Sequence, residues 1–346
     1  MNITNPKIVF FGTGAIGGSV GAWVAENYDN VWLYDRKETA DIIRVNGIST
    51  YCGGEKSTAT TVRAKVLDDI NGLSDADVIA VCVKNYSLGE ACSQIKNICG
   101  DRPVIIGMQN GAENLKIMPE YFTKVIYCVI GYNAWIDSPG VVGYQKKGPL
   151  VLGTTRSGLE AETAAIAAIW NRGVETVVSD RIRDAIHTKI VINLANSLTT
   201  LIGLGFREIT DYPMFQKILT NMTGEGVRIV KAAGYLEYKI GGMPPWFLLR
   251  AMSVLPGFIT GRIFRKNVRK MVISSMAQDI IARGGHTSEL DTINGYMLSL
   301  ADKHGVSAPY NRAVYEMCRR EFAREKFTPL SIEDVGAEVL RRVQAG

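Results

Sequence analysis

The chain has 346 residues, of which 47% are hydrophobic and 21% charged, and a formal net charge of +5. That length exceeds one typical core and suits two domains, while the composition is that of an ordinary globular protein. So small a positive charge accommodates an anionic cofactor or substrate and argues against a nucleic-acid partner. The first element is an apolar run of strand length, Lys7-Ile8-Val9-Phe10-Phe11, which breaks into Gly12, Gly14 and Gly17 with Thr13, Ala15 and Ile16 between them. A small-residue helix follows from Ser19 to Ala25. Strand, Gly-x-Gly-x-x-Gly and helix in that order form the setting of a dinucleotide site. Gly12 lets the chain turn out of the strand. Gly14 lets backbone approach a pyrophosphate, and Gly17 lets the helix pack closely. The pyrophosphate would rest on the unpaired N–H groups at the helix start.

Asn30-Val31-Trp32-Leu33-Tyr34 reads as a second buried strand, ending in Asp35 and Arg36. An aspartate there accepts hydrogen bonds from the adenosine ribose and repels a 2′-phosphate, which favours NAD. An arginine can pair with that phosphate, which favours NADP. This chain has both, and Lys37 adds charge, so the sequence leaves the choice open. Asp77 to Lys84 and Pro103 to Gly111 are nearly continuous apolar strands, as in a parallel sheet covered on both faces. Lys84 and Asn110 fall at their carboxyl ends, the edge where open α/β sheets bind ligands. Val125 to Ile130 and Leu150 to Gly153 extend the sheet.

From about Arg183 the pattern becomes helical. Ala185 to Asn196 is mostly apolar, with Lys189 and Asn193 one turn apart on a shared face. A lysine in so apolar a helix either snorkels to the surface or belongs to a site. Ser274 to Ala282 reads as a helix, and Ser288 to Tyr296 as another, with Thr287 or Ser288 as its N-cap. Asp302 to Pro309 is a helix end and turn, and amphipathic helices follow. Arg262, Arg265, Lys266, Arg269 and Lys270 read as a solvated helix face. Trp246 to Ile263 holds Arg250, Pro256, Gly257 and Gly261, which makes it a poor membrane span. The N-terminus lacks the basic flank and cleavage pattern of a secretory signal. Six cysteines form no C-x-x-C pair, and His187, His286 and His304 lie far apart. No metal is therefore expected, and reduced thiols in a cytoplasmic protein are the default.

These motifs together resemble the ketopantoate reductases (2-dehydropantoate 2-reductases), over nearly the whole chain. The resemblance is carried by Gly12 to Gly17, Val83-Lys84, Gln109-Asn110-Gly111 and Lys189-x-x-x-Asn193. It continues in Ser274-Ser275-Met276-x-Gln278-Asp279 and Glu289-x-Asp291-x-x-Asn294-Gly295. It implies an α/β protein: a Rossmann-type dinucleotide-binding domain (1–182), then an all-helical substrate and dimerisation domain (183–346). It implies NADPH as cofactor, with NAD kept open by Asp35. The partner would be a small 2-keto acid, in pantothenate biosynthesis, with no nucleic acid or membrane, and a homodimer is allowed. By resemblance Lys189 is the catalytic lysine, and Glu289 joins it in catalysis. Asn110 and Asn193 belong to the active site. Ser275 and Glu289 bind substrate, and Lys84 lies near nicotinamide and substrate. The chemistry suits these residues, because hydride delivery to C2 leaves negative charge on oxygen, which an ammonium stabilises and protonates. Val272 departs from the family's usual asparagine, and the stretch from Tyr235 to Lys270 is longer and more aromatic than usual. These favour, as an alternative, a D-2-hydroxyacid dehydrogenase for bulkier substrates. A sensor that binds NAD(P) without turnover is the reading from another class.

Overall fold

The computed structural model describes residues 5–242, 244–255, 257–269 and 271–345, so Pro256 and Lys270 lie outside the described residues. The chain divides into two compact units, Met1–Arg183 and Asp184–Gly346. The described residues of unit one form the strands β1 (Ile8–Phe11), β2 (Val31–Tyr34), β3 (Ile48–Cys52), β4 (Thr60–Val62), β5 (Lys65–Val66), β6 (Val78–Val81), β7 (Val104–Gly107), β8 (Val125–Ile130), β9 (Ala134–Ser138), β10 (Val141–Tyr144), β11 (Leu150–Gly153) and β12 (Thr176–Val178). Its helices are α1 (Ala15–Ala25), α2 (Lys37–Asn46), α3 (Leu88–Cys99), α4 (Asn114–Tyr121) and α5 (Glu160–Trp170).

Eight strands form the main sheet in the order β12-β11-β8-β7-β6-β1-β2-β5. From β8 to β5 every neighbouring pair is parallel, whereas β11 runs antiparallel to β8. The strands β1, β6, β7, β8 and β11 are buried along their whole length, as a sheet covered on both faces requires. Phe11 lies opposite both Tyr34 and Val81, so β2, β1 and β6 end level at one edge. The chain leaves β1 for β2 on one side and later returns to β6 on the other. Such a reversal opens a crevice at the carboxyl ends, where these sheets take ligands.

A second sheet, β4-β3-β10-β9, covers α1. The sequence reading assigned no strand to these segments. They are short, and no residue of β4 or β9 is buried, so they lack a clean apolar alternation.

The second unit is helical. It comprises α6 (Ile182–Asn193, whose first turn begins in unit one), α7 (Ala195–Leu201), α8 (Tyr212–Ala232), α9 (Trp246–Val254), α10 (Gly257–Val268), α11 (Ser275–Ala277), α12 (Tyr296–Lys303), α13 (Pro309–Phe322) and α14 (Ile332–Ala345). None of the described helices is long and apolar enough to cross a membrane. The helix α8 starts at Asp211, whose carboxylate accepts the Met214 N–H at 2.9 Å. Its apolar face, with Phe215, Ile218 and Met222, packs into one core with residues of α7, α13 and α14. Buried Glu225 of α8 accepts the backbone N–H groups of Tyr310 (3.1 Å) and Asn311 (2.9 Å), at the positive end of α13. Two sequence-read helices are shorter than expected. Residues after α11 wind into a π turn over Gln278–Ala282, and those before α12 into another over Asp291–Gly295.

Glu338 of α14 accepts from Arg320 of α13 at 2.9 and 3.0 Å and from Arg342 at 2.6 and 3.0 Å. These bonds, with Arg320 contributing most, lower its carboxyl from 4.5 to about 2. A depressed carboxylate adds stability above its unfolded value and loses it as pH falls from about 4.5 to about 2. Glu338→Gln should therefore cost about 1 kcal/mol in urea unfolding at pH 7. The difference from the parent should shrink across that acid window.

Candidate functional site

In the first unit a candidate ligand-binding edge grows from the end of β1. The chain turns at Gly12 with φ of +96°, a conformation that strains any L side chain. Gly14 is the N-cap of α1, without a side-chain cap, and a Cβ placed on it meets nothing within 4 Å. Gly17 differs. A Cβ there would fall 1.9 Å from the Gly12 carbonyl oxygen, so only glycine lets α1 begin directly above the loop. The N–H groups of a helix's first turn lack intrahelical acceptors and attract anions. A helix start with nothing above Gly14 fits the pyrophosphate of a dinucleotide. Ala15 and Ile16 complete that first turn.

Asp35, just beyond β2, is tied to this loop. Its Oδ2 accepts both the backbone N–H and the hydroxyl of Thr13 at 2.6 Å each, and its Oδ1 accepts the Arg36 N–H at 2.8 Å. Thr13 is buried, whereas Arg36 and Lys37 are exposed.

Lys84 and Asn110 follow β6 and β7 at the same sheet edge. Two residues that the sequence reading left without a role hold these strand ends together. The Gln109 amide donates to the carbonyls of Val81 (2.7 Å) and Val83 (3.0 Å). The Asn85 amide donates to the carbonyl of Asn110 at 2.7 Å. Gly111 then turns with φ of +89°. The signal for these clamps was present as amide side chains directly after buried strands, where free backbone groups must find partners.

The helical unit carries its own cluster of candidate residues. Lys189 and Asn193 sit one turn apart on α6 and are only 9% and 7% exposed, so Lys189 is a buried residue and does not snorkel to the surface. The next helix, α7, links two further segments. Its Thr200 hydroxyl shares a 3.2 Å hydrogen bond with Ser274, and its Ser197 hydroxyl accepts from the Asn294 amide at 2.9 Å. Ser274 also caps α11 by accepting the Ala277 N–H, which places half-buried Ser275 as the first residue of that helix. Glu289 is 4% exposed and precedes the π turn that holds Asn294. The Ser288 hydroxyl accepts the Leu290 N–H at 3.3 Å. π turns are rare and concentrate at functional sites, and here they follow Ser275 and Glu289. Ser197, Thr200 and Asn294 received no role from sequence, although polar residues in apolar helices signal such ties.

Among the described residues no group of three or more His, Cys, Asp or Glu could hold a metal ion. Burial pushes the Cys92 thiol up to about 12 and raises those of Cys82, Cys128 and Cys318 as well, which makes poor nucleophiles of them. The exposed Arg262, Arg265, Lys266 and Arg269 form a solvated face, with Arg265 over the Tyr212 ring.

Comparison with known proteins shows the family. The family model described as ketopantoate reductase PanE/ApbA matches residues 8–157, and its C-terminal counterpart matches residues 181–321. The chain belongs to the ketopantoate reductase family, a class of nicotinamide-dependent oxidoreductases acting on CH–OH groups. A 2-dehydropantoate 2-reductase of Halobacterium salinarum is 25% identical over 90% of this chain and 98% of its own length. One from Pyrococcus abyssi is 26% identical over 92% and 99%. Among solved structures, a PanE/ApbA family ketopantoate reductase from Ralstonia eutropha aligns with a TM-score of 0.70 at 23% identity, covering 95% of this chain and 99% of its own. D-mandelate dehydrogenase with NADH and anilino(oxo)acetate aligns at 0.72 and 20%, covering 93% and 99%.

The two inner glycines separate binding from stability. Gly14→Ala should leave urea stability within about 0.5 kcal/mol while weakening NADPH binding measured by fluorescence titration. Gly17→Ala should destabilise by about 1–3 kcal/mol, because its methyl must displace loop backbone.

Proposed function

We propose that the protein reduces 2-dehydropantoate to pantoate with NADPH, residues 1–182 binding the cofactor and residues 183–346 the substrate. The observation that carries this reading is the buried pair Lys189 and Asn193 on one face of the apolar helix α6, in a chain of this family. Withdrawing an ammonium from water is costly, and catalysis is a use that offsets it.

When bound, the nicotinamide supplies a hydride to C2 of the keto acid. The carbonyl π electrons then move onto oxygen, and Lys189 stabilises that charge and gives up the proton that completes the hydroxyl. Asn110 and Asn193 orient the carbonyl through neutral amides. The Ser275 hydroxyl donates to the substrate carboxylate, and Glu289 accepts from a substrate hydroxyl. Lys84 adds positive charge for the anionic reactants.

Gly12, Thr13, Gly14, Ala15, Ile16 and Gly17 would cradle the pyrophosphate. The engagement of Asp35 bears on the choice of cofactor. A carboxylate offers about four acceptor positions, and three are taken by Thr13 and Arg36. Clasping both ribose hydroxyls would compete with those bonds, whereas exposed Arg36 is available to a 2′-phosphate. This supports NADPH over NADH.

Val272 supports a second reading, a D-2-hydroxyacid dehydrogenase for a branched or aromatic acid. A half-buried valine three residues before Ser275 offers an apolar wall and no hydrogen bond.

A panel of 2-keto acids assayed with NADPH and NADH in parallel tests these readings. Preference for ketopantoate with NADPH is the expected outcome. Preference for a bulkier acid would select the second reading, and binding of NAD(P) with no reduction of any acid would refute both. In the active pair, Lys189→Ala should lower kcat by about 10²- to 10⁴-fold while the Kd for NADPH holds. Arg36→Ala should raise KM for NADPH about tenfold and leave that for NADH unchanged.

A further inference from the structure

His187 lies two residues before Lys189 on α6 and is completely buried. The reaction proposed above gives it no task. Its ring stacks on that of Tyr235, with centroids 3.4 Å apart and planes 13° from parallel. Its Nε2 shares a 2.7 Å hydrogen bond with the hydroxyl of Tyr296. Tyr235 lies just past the end of α8, and Tyr296 is the first residue of α12, directly after the π turn that follows Glu289.

The neighbours of His187 on α6 grip the same strand of chain. The Asp184 carboxylate accepts the Leu236 N–H at 2.9 Å, and the Thr188 hydroxyl accepts the Tyr238 N–H at 3.1 Å. Residues 184, 187 and 188 follow the i, i+3, i+4 spacing of one helix face. Lys189 and Asn193 share a different face, because each residue advances a helix by about 100°. A face held by four specific contacts cannot turn about the helix axis, so the direction of the opposite face is set as well.

We propose that His187, clamped between Tyr235 and Tyr296, is a positioning residue for Lys189. It fixes the rotation of α6 and locks that helix to the segment carrying Glu289. The ammonium and the carboxylate are thereby held at a constant separation during turnover. This rests on the assignment of Lys189 and Glu289 made above. A stack alone would tolerate sliding; the hydroxyl–imidazole bond supplies direction, which makes Tyr296 the sensitive partner.

Two near-isosteric variants test the clamp. Tyr296→Phe keeps the ring and removes the hydroxyl, and His187→Phe keeps a stacking ring and removes the nitrogen. Each should lower kcat about 10- to 100-fold, the cost of a misplacement of about 1 Å. The KM for NADPH should stay within twofold. His187→Gln, which retains a polar partner for Tyr296, should recover part of the loss. Unchanged kcat in both phenylalanine variants, or a loss matched by an equal loss of folded protein in thermal unfolding, would overturn the proposal.

A readout independent of turnover uses protein labelled with ¹³C at lysine Cε, with the Lys189 signal assigned through Lys189→Arg. In the absence of any substrate, both phenylalanine variants should shift that signal and its titration midpoint. An unmoved Lys189 signal would refute the clamp even in an active enzyme. A wild type that reduces no 2-keto acid would refute the assigned reaction and leave this measurement to decide the clamp.

Discussion

The closeness of α1 to the loop that feeds it governs unit one. The helix begins so near the turn that a Cβ at Gly17 would collide with the Gly12 carbonyl. A Cβ at Gly21 would come within 2.8 Å of Leu33 on β2, and one at Gly18 within 3.1 Å of Val142 on β10. A helix this thin fits between two sheets, and residues Gly17 to Val24 are all buried. A helix that is apolar all round belongs in such a place. Trp23 closes the far end, tilted against Tyr132 at 5.3 Å and edge-on to Tyr144 at 4.9 Å. With its flanks enclosed, the helix has its free N–H groups only at the end above Gly14. Packing thus sets the direction of the dipole that would hold a pyrophosphate.

Asp35 shows how one residue can hold a loop and influence its ligand. By accepting the Thr13 N–H and hydroxyl, it anchors the first turn after β1 to the end of β2. Those bonds leave the carboxylate little acceptor capacity, yet its charge remains close to where a ribose would lie. An isolated aspartate at this position in a sequence reads as a ribose ligand. The hydrogen bonds give it a structural occupation that composition cannot reveal.

The central sheet was legible because its strands are continuous apolar runs, and the glycine spacing is legible because each glycine answers a distinct steric demand. In the second unit, periodicity located the helix of Lys189 and Asn193, and it gave the neighbourhood of Ser275 and Glu289. It could not register the π turns, since five residues at Gln278–Ala282 or Asp291–Gly295 look the same in sequence whether wound at 3.6 per turn or more loosely. The sheet of β3, β4, β9 and β10 escaped for another reason. Its β-branched and aromatic residues suit strands, but the strands are short, lack a clean apolar alternation and are stabilised by covering α1, a contact distant in sequence. The clamps Asn85, Gln109, Ser197 and Asn294 were visible as residues and silent as roles, because a hydrogen-bond partner is a fact of three dimensions.

The polar residues buried along α6 and α7 explain why a helical unit can serve precise chemistry. Aliphatic side chains of similar volume substitute for one another with little change in energy, so an all-apolar helix can rotate or slide at small cost. A buried amide or hydroxyl has no such freedom, since leaving its partner costs about 1–3 kcal/mol. Asn294 on Ser197, Thr200 on Ser274 and His187 on Tyr296 are three such bonds, spread along the stretch from His187 to Thr200 that also carries Lys189 and Asn193. Two of them reach the segment of Asn294 and Tyr296, and the third reaches Ser274 at the start of α11. Together they fix both the rotation and the axial position of the lysine's helix. The same low-dielectric surroundings that make the ammonium costly to bury strengthen the bonds that hold it in place.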